Sequence, residues 1–179
     1  MHGRFSNRKK VLIFLQLLVW PAAVAFVAGM LGVRINVTAS VPVGLYLVSS
    51  NPDSHFIEFC PPEPFGSLSV ERGYRAASSA CPDGGEALLK PVVAREGNQV
   101  EVSSRGISVN GSLIPNTAAK THDTEGRLLS PWPFGSYHVE PGTVWVVSSY
   151  NRRSFDSRYF GAIRVVDIRH LLRPLWTGR

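Results

Sequence analysis

The stretch Asn36-Val37-Thr38-Ala39-Ser40-Val41-Pro42-Val43-Gly44-Leu45-Tyr46 decides how this 179-residue chain is read. On its N-terminal side lies an apolar run, Val11 to Val33, whose only strongly polar member is Gln16. As a helix rising 1.5 Å per residue, that run is roughly 35 Å long, enough to cross a hydrocarbon core, and Pro21 and Gly29 are tolerated there. On its C-terminal side, Gly44 to Val48 reads as the first strand of a folded domain. Ser40 therefore falls a few residues beyond a membrane span, flanked by Pro42 and Gly44. Few reactions need a nucleophile at the bilayer surface, and cutting a membrane-tethered polypeptide is one of them.

Arg4, Arg8, Lys9 and Lys10 precede the run, with no acidic residue among the first ten. Basic flanks stay cytoplasmic, so residues from about 35 onward are expected outside. Ala23-Val24-Ala25 resembles a leader-cleavage site, but the apolar run continues through Phe26, Val27, Met30 and Leu31, which favours a retained anchor. The expected organisation is a basic tail over 1–10, a transmembrane helix over 11–33 and a β-rich domain over 34–179.

The formal charge of +6 is concentrated in the tail. Without it, 15 Lys/Arg stand against 13 Asp/Glu, a balance that gives no case for nucleic-acid binding. Arg164, Arg169, Arg173 and Arg179, with Leu171, Leu172, Leu175 and Trp176, suit either anionic headgroups or a final packed strand. Cys60 and Cys81 both fall on the outer side, where an oxidising compartment favours a disulfide over free thiols. Two cysteines without nearby His make a poor metal site, and no cofactor is expected.

The outer domain reads as mainly β. Ala87 to Ala94 is an apolar strand in which Pro91 demands an edge or a bulge. Gln99 to Ser103 alternates, and Ile107-Ser108-Val109, Asn110-Gly111 and Ser112-Leu113-Ile114 spell a hairpin. Thr143 to Ser148 is a buried-type strand, and Tyr159 to Ile168 a closing one. A helical turn is expected over Asp167 to Leu172. Cys60 to Cys81, broken by Pro and Gly, is expected to be an irregular flap, and Asn116 to Gly135 a polar loop.

A serine nucleophile needs a base. No Gly-x-Ser-x-Gly turn surrounds Ser40, and His122 beside Asp123 sits in the polar loop, a weak basis for a triad. The outer domain has two lysines, Lys90 and Lys120. Lys90 lies inside Ala87-Leu88-Leu89-Lys90-Pro91-Val92-Val93-Ala94, where desolvation lowers an amine pKa enough for it to accept a serine proton. The alternative is a strand lysine facing solvent. Asp156 and Arg158, two apart on an extended segment, share a face and can pair.

Three blocks in this order resemble the type I signal peptidase superfamily: Ser40-x-Pro42-x-Gly44 after an anchor, Leu89-Lys90-x-Val92-Val93-Ala94 followed by Gly97-Asn98-Gln99-Val100, and Ser154-Phe155-Asp156-Ser157-Arg158-Tyr159-Phe160-Gly161. Asn36-x-Thr38-x-Ser40, Phe59-Cys60-Pro61-Pro62, Arg72-Gly73-Tyr74 and Cys81-Pro82-x-Gly84 are closer to its TraF-type conjugal-transfer branch. The resemblance spans about residues 1–172. It implies a signal-peptidase-like antiparallel β domain on a bacterial inner-membrane anchor, with the peptidase in the periplasm. It further implies Ser40 as nucleophile, Lys90 as base, Thr38 as oxyanion partner beside the Ser40 amide, and Ser154 as the hydroxyl that orients Lys90. Asp156 and Arg158 would brace the site, with Asp156 also a candidate third catalytic member.

Three departures stand out: Pro91 after Lys90, Val41 after Ser40, and Ser148-Ser149-Tyr150-Asn151-Arg152 where ordinary signal peptidases carry Gly-Asp-Asn-Arg. The implied substrate is a pilin precursor with small residues before the cut, and the implied partners are other conjugation-apparatus proteins and membrane lipid. A general preprotein signal peptidase and a non-catalytic tethered scaffold of a secretion machine are the alternatives.

Overall fold

The computed structural model describes residues 7–178, with the side chains of 7–12, 15, 18 and 25 outside the description. The chain divides into two units, Met1–Arg34 and Ile35–Arg179. The first contains helix α1, Asn7–Met30. Ile13, Phe14, Leu17, Val19, Trp20, Val24, Phe26, Val27 and Met30 on it are all exposed. Among the described residues no helix is long and apolar enough to cross a membrane. Arg4 of the basic tail lies outside the described residues.

Among the described residues eleven strands form two sheets, antiparallel in every pairing from β2 onward. The larger uses β1 (Val33–Asn36), β2 (Gly44–Ser49), β3 (Phe56–Phe59), β4 (Leu88–Ala94), β9 (Thr143–Val146), β10 (Ile163–Arg164) and β11 (Ile168–Thr177), in the order β1-β2-β11-β3-β4-β9-β10. The smaller is β7-β6-β5-β8, from β5 (Gln99–Ser103), β6 (Gly106–Val109), β7 (Ser112–Leu113) and β8 (Gly135–His138). The Asn110-Gly111 turn forms as read: both residues take positive φ, 49° and 82°, as the tight hairpin requires.

β9 explains why its sequence is apolar throughout. Val144 and Val146 enter one core with Ile57, Phe59, Val92, Phe155, Tyr159, Phe160 and Ile163. Trp145 and Val147 enter another with Ala94, Val100, Val102, Ile107 and Val139. Successive side chains point to opposite faces, and here both faces are covered.

Of its two expected placements, an edge or a bulge, Pro91 takes the second, because β4 pairs with β3 on one side and β9 on the other. It sits opposite Phe56, and the register with β9 slips immediately afterwards, between Val92 and Ala94, so the missing N–H falls beside an irregularity. The Cys60–Cys81 flap is not wholly irregular: it holds helix α2, Phe65–Glu71, whose Phe65 and Leu68 pack on the main core. The closing segment is also different. Ser157–Phe160 is a short helix, α3, and a 3₁₀ turn over Val165–Asp167 precedes β11. β11 then runs through residues expected to turn helical and pairs on both sides, with β2 and β3. Arg169 and Arg173 are thus on a paired strand, along which Leu175 and Trp176 stay exposed, and Arg179 lies outside the described residues.

Cys60 and Cys81 are bonded, with Cα atoms 5.7 Å apart. The closed loop spans 21 residues of separation, and in the chain-entropy picture such a cross-link contributes about 3 kcal/mol. Cys60→Ser with Cys81→Ser is therefore expected to lower the urea midpoint by an amount equivalent to about 3 kcal/mol. An unchanged midpoint in denaturation monitored by tryptophan fluorescence would show that the bond contributes nothing.

Candidate active site

The segment before β2 is shaped by one side chain. Asn36 is buried, and its Nδ2 donates to the carbonyls of Thr38 (2.8 Å), Val41 (3.2 Å) and Pro42 (3.1 Å). Its Oδ1 accepts from the Thr38 amide (3.1 Å) and the Thr38 hydroxyl (2.8 Å). An Asn bonding the backbone two residues on is a standard turn former, and this one organises the whole 36–42 loop. Tyr46 Oη adds a bond to the Pro42 carbonyl (2.7 Å), and Val41 plugs into a core with Tyr46, Phe56 and Leu172. Ser40 is thus held between Asn36 on one side and a buried Val41 on the other, with its own side chain half-buried.

Lys90 arrives from the middle of β4, opposite Ile57, and is 3% exposed. Its Nζ donates to Ser154 Oγ at 3.0 Å. Burial pushes the amine down to about 8; the Asp156 carboxylate opposes that fall and the Arg158 guanidinium adds to it. A lysine so placed is still mostly charged at pH 7, but its neutral fraction there is far larger than that of an exposed lysine. With Ser154 accepting one of its protons, its lone pair is left to accept another.

Asp156 and Arg158 are completely buried and bonded by two near-parallel contacts, Nε to Oδ1 at 2.8 Å and Nη2 to Oδ2 at 3.0 Å. The pair has no solvent, so its other groups are satisfied by backbone: the Ser148 amide donates to Asp156 Oδ2 (3.0 Å), and Arg158 donates to the Ser148 carbonyl (2.7 Å) and to those of Asn116 and Arg152 (3.3 Å each). Ser157 Oγ accepts from the Val146 amide at 2.9 Å. These bonds dock the 154–160 block on the end of β9. Gly161 closes it at φ 70°; a Cβ there would meet the Trp132 ring at 2.7 Å, so the position has room for glycine alone.

The family model of signal peptidase, peptidase S26, matches residues 7–176. The chain belongs to the signal peptidase S26 family. Among curated proteins it is similar to a plasmid transfer protein TraF of Escherichia coli, 36% identical over 160 residues that cover 87% of this chain and 88% of that one. It is 34% identical over 179 residues to a conjugal transfer protein TraF of Agrobacterium fabrum, covering 96% and 98% of the two chains. A solved signal peptidase I from Enterococcus faecalis covers 69% of this chain at 20% identity with a TM-score of 0.39, too loose a likeness to bear on the site.

As an S26 member with TraF relatives, the chain carries every residue singled out from its sequence, but the structure connects them unequally. Lys90 and Ser154 are bonded directly, as are Asp156 and Arg158. Ser40 joins them through its backbone: its carbonyl accepts from Ser148 Oγ at 2.5 Å. Among the described residues no hydrogen bond joins Ser40 Oγ to Lys90 Nζ; catalytic bonds often close only when substrate is bound. Thr38 is exposed, and its single hydroxyl proton is given to Asn36. To donate to an oxyanion, Thr38 must first exchange that bond.

The His122–Asp123 alternative does not assemble. His122 is exposed, and Asp123 accepts from Tyr74 Oη (2.5 Å) and Arg127 Nε (2.6 Å). Sequence reasoning gave Asn36 and Ser148 no role. Asn36-x-Thr38 carries a local turn signature that points to the first. Nothing local points to Ser148, whose partner lies 108 residues away.

Proposed function

We propose that this chain is a membrane-anchored Ser/Lys endopeptidase that matures the pilin precursor of a conjugative apparatus. The observation that carries this reading is Lys90: buried, bonded to Ser154, and lowered to about 8, it gives up its proton far closer to neutral pH than an exposed lysine does, as a general base must. The exposed apolar side chains on α1, together with the basic residues that open the sequence, support the anchor. The similarity to TraF proteins of conjugal transfer supports a conjugation substrate over general secretion.

In this mechanism Ser40 attacks the scissile carbonyl while Lys90 takes its proton. The Ser40 amide and Thr38, once its hydroxyl turns from Asn36, hold the oxyanion. The Lys90 ammonium then gives its proton to the departing amine, leaving an acyl-enzyme on Ser40. Attack by water yields a linear product; attack by the pilin's own N-terminal amine yields a cyclic one. The catalytic domain then lies on the periplasmic side of the inner membrane.

The test is co-expression of a candidate pilin with the wild-type chain or with Ser40→Ala, followed by intact-mass spectrometry. Cleaved pilin is expected with wild type and full-length precursor with Ser40→Ala. A cyclic product is lighter than the linear one by one water. Cleavage that persists in Ser40→Ala would overturn the assignment.

A further inference from the structure

Ser148 is bonded both to Ser40 and to the Asp156–Arg158 pair. It is fully buried at the end of β9, and all its polar groups are committed. Its amide donates to Asp156 Oδ2, its carbonyl accepts from Arg158 Nη2, and its Oγ accepts from the Tyr150 amide at 3.2 Å. The hydroxyl proton is donated to the Ser40 carbonyl. Ser40 thereby meets the Asp156–Arg158 pair through a single residue, whose hydroxyl faces Ser40 and whose backbone faces the pair.

We infer that Ser148 is the positioning residue of the Ser40 nucleophile, and that Asp156 and Arg158 act on Ser40 through it. The inference rests on the reading of Ser40 as nucleophile. The Ser40–Val41 peptide is held from two sides. Val41 is anchored in the core on the side of β2 and β11, while the Ser148 hydroxyl ties the Ser40 carbonyl to the end of β9. Lys90 and Ser154 are carried by β4 and the 154–160 block, and both are docked on β9 as well. The bond from Ser148 to Ser40 therefore sets where the nucleophile stands relative to its base, across elements far apart in sequence. It also resolves the position of Asp156. A carboxylate near Lys90 opposes loss of its proton, so Asp156 works against the base electrically while it holds Ser148, and with it Ser40, in place.

The experiment uses the full chain in detergent with an Ala-terminated peptide thioester, following thiol release across pH. Ser148→Ala is expected to lower kcat roughly tenfold to a hundredfold, the scale of a misplaced reacting group. KM should stay within about twofold, because the side chain does not touch substrate. The midpoint of the pH profile should not move, because Lys90 keeps its surroundings. The thermal midpoint should fall by no more than a few degrees, as for one hydrogen bond. An unchanged kcat would overturn the inference, as would a loss explained entirely by a shifted pH midpoint. If Ser148→Ala does not fold, Ser148→Gly is measured in its place; failure of both to fold would make Ser148 a framework residue and equally overturn it. Ser40→Ala is run in parallel: thioester turnover surviving there sinks the nucleophile reading itself, whatever Ser148 does.

Discussion

Lys90→Met is expected to abolish precursor processing while making the folded domain more stable. The loss follows from removing the proton acceptor, which in nucleophile–base sites costs on the order of 10³-fold or more. The gain follows from the same burial that makes the lysine useful. Holding its amine at about 8 instead of 10.5 represents a penalty on the charged form of about 3 kcal/mol at 1.36 kcal/mol per unit. Methionine fills a similar volume without charge. The loss of the bond to Ser154 returns about 1 kcal/mol of that, so a net gain of about 1–2 kcal/mol is expected.

Two pH dependences share this cause, and their signs are fixed by it. The rate needs neutral Lys90, so wild-type processing should rise as pH rises through about 8. The folded pKa lies below the unfolded one, so between about 8 and 10.5 the unfolded chain binds more protons, and wild-type stability should rise with pH across that window. Lys90→Met should lack that slope. Urea titrations at several pH values, beside a pH–rate profile, measure both. A variant that processes precursor normally, or whose stability falls, would refute the account.

Arg158→Met is expected to be among the most damaging single substitutions in the domain. It leaves the Asp156 carboxylate, 0% exposed, without its counter-charge, and it strips donors from the Ser148, Asn116 and Arg152 carbonyls. Breaking a buried pair in this way costs about 3–5 kcal/mol, a large part of the stability of an ordinary domain. Arg158→Lys keeps the charge but not the two-pronged geometry and should recover only part of the loss. Removing both charges, as Asp156→Asn with Arg158→Met, should cost less than Arg158→Met alone, because no unpaired charge stays buried. Any residual activity of Arg158→Met should shift to higher pH, since Arg158 helps keep Lys90 deprotonated. A stability loss below about 1 kcal/mol in denaturant titrations would show that the pair is not holding the site.

Much of the architecture was legible because its signals are local. Gln99 to Ser103 alternates with period two and becomes a strand with one buried face. Asn110-Gly111 supplies its own positive φ. Lys90 announced itself by chemistry alone, as a charge in the middle of an apolar strand. The misreadings have one cause in common. α2 lies among proline and glycine that argue against a helix, and it is its packing of Phe65 and Leu68 on the core that makes it one. β11 has no clean alternation, and its strand conformation comes from ladders on both sides. For Pro91 the sequence allowed an edge or a bulge, and only the pairing of β4 on both sides chose the bulge.

The same division runs through the site. The sequence alone pointed to the proposed pair, Ser40 in its loop and Lys90 in its strand, because a serine beyond an apolar run, an amine in an apolar setting and the family resemblance are all read from the order of residues along the chain. Tertiary structure alone decided how that pair is held. The bond from Ser148 to Ser40 closes across 108 residues, and the bond from Lys90 to Ser154 across 64. Such contacts exist only once β4, β9 and the loop before β2 have been brought together, since no local preference of the chain favours them.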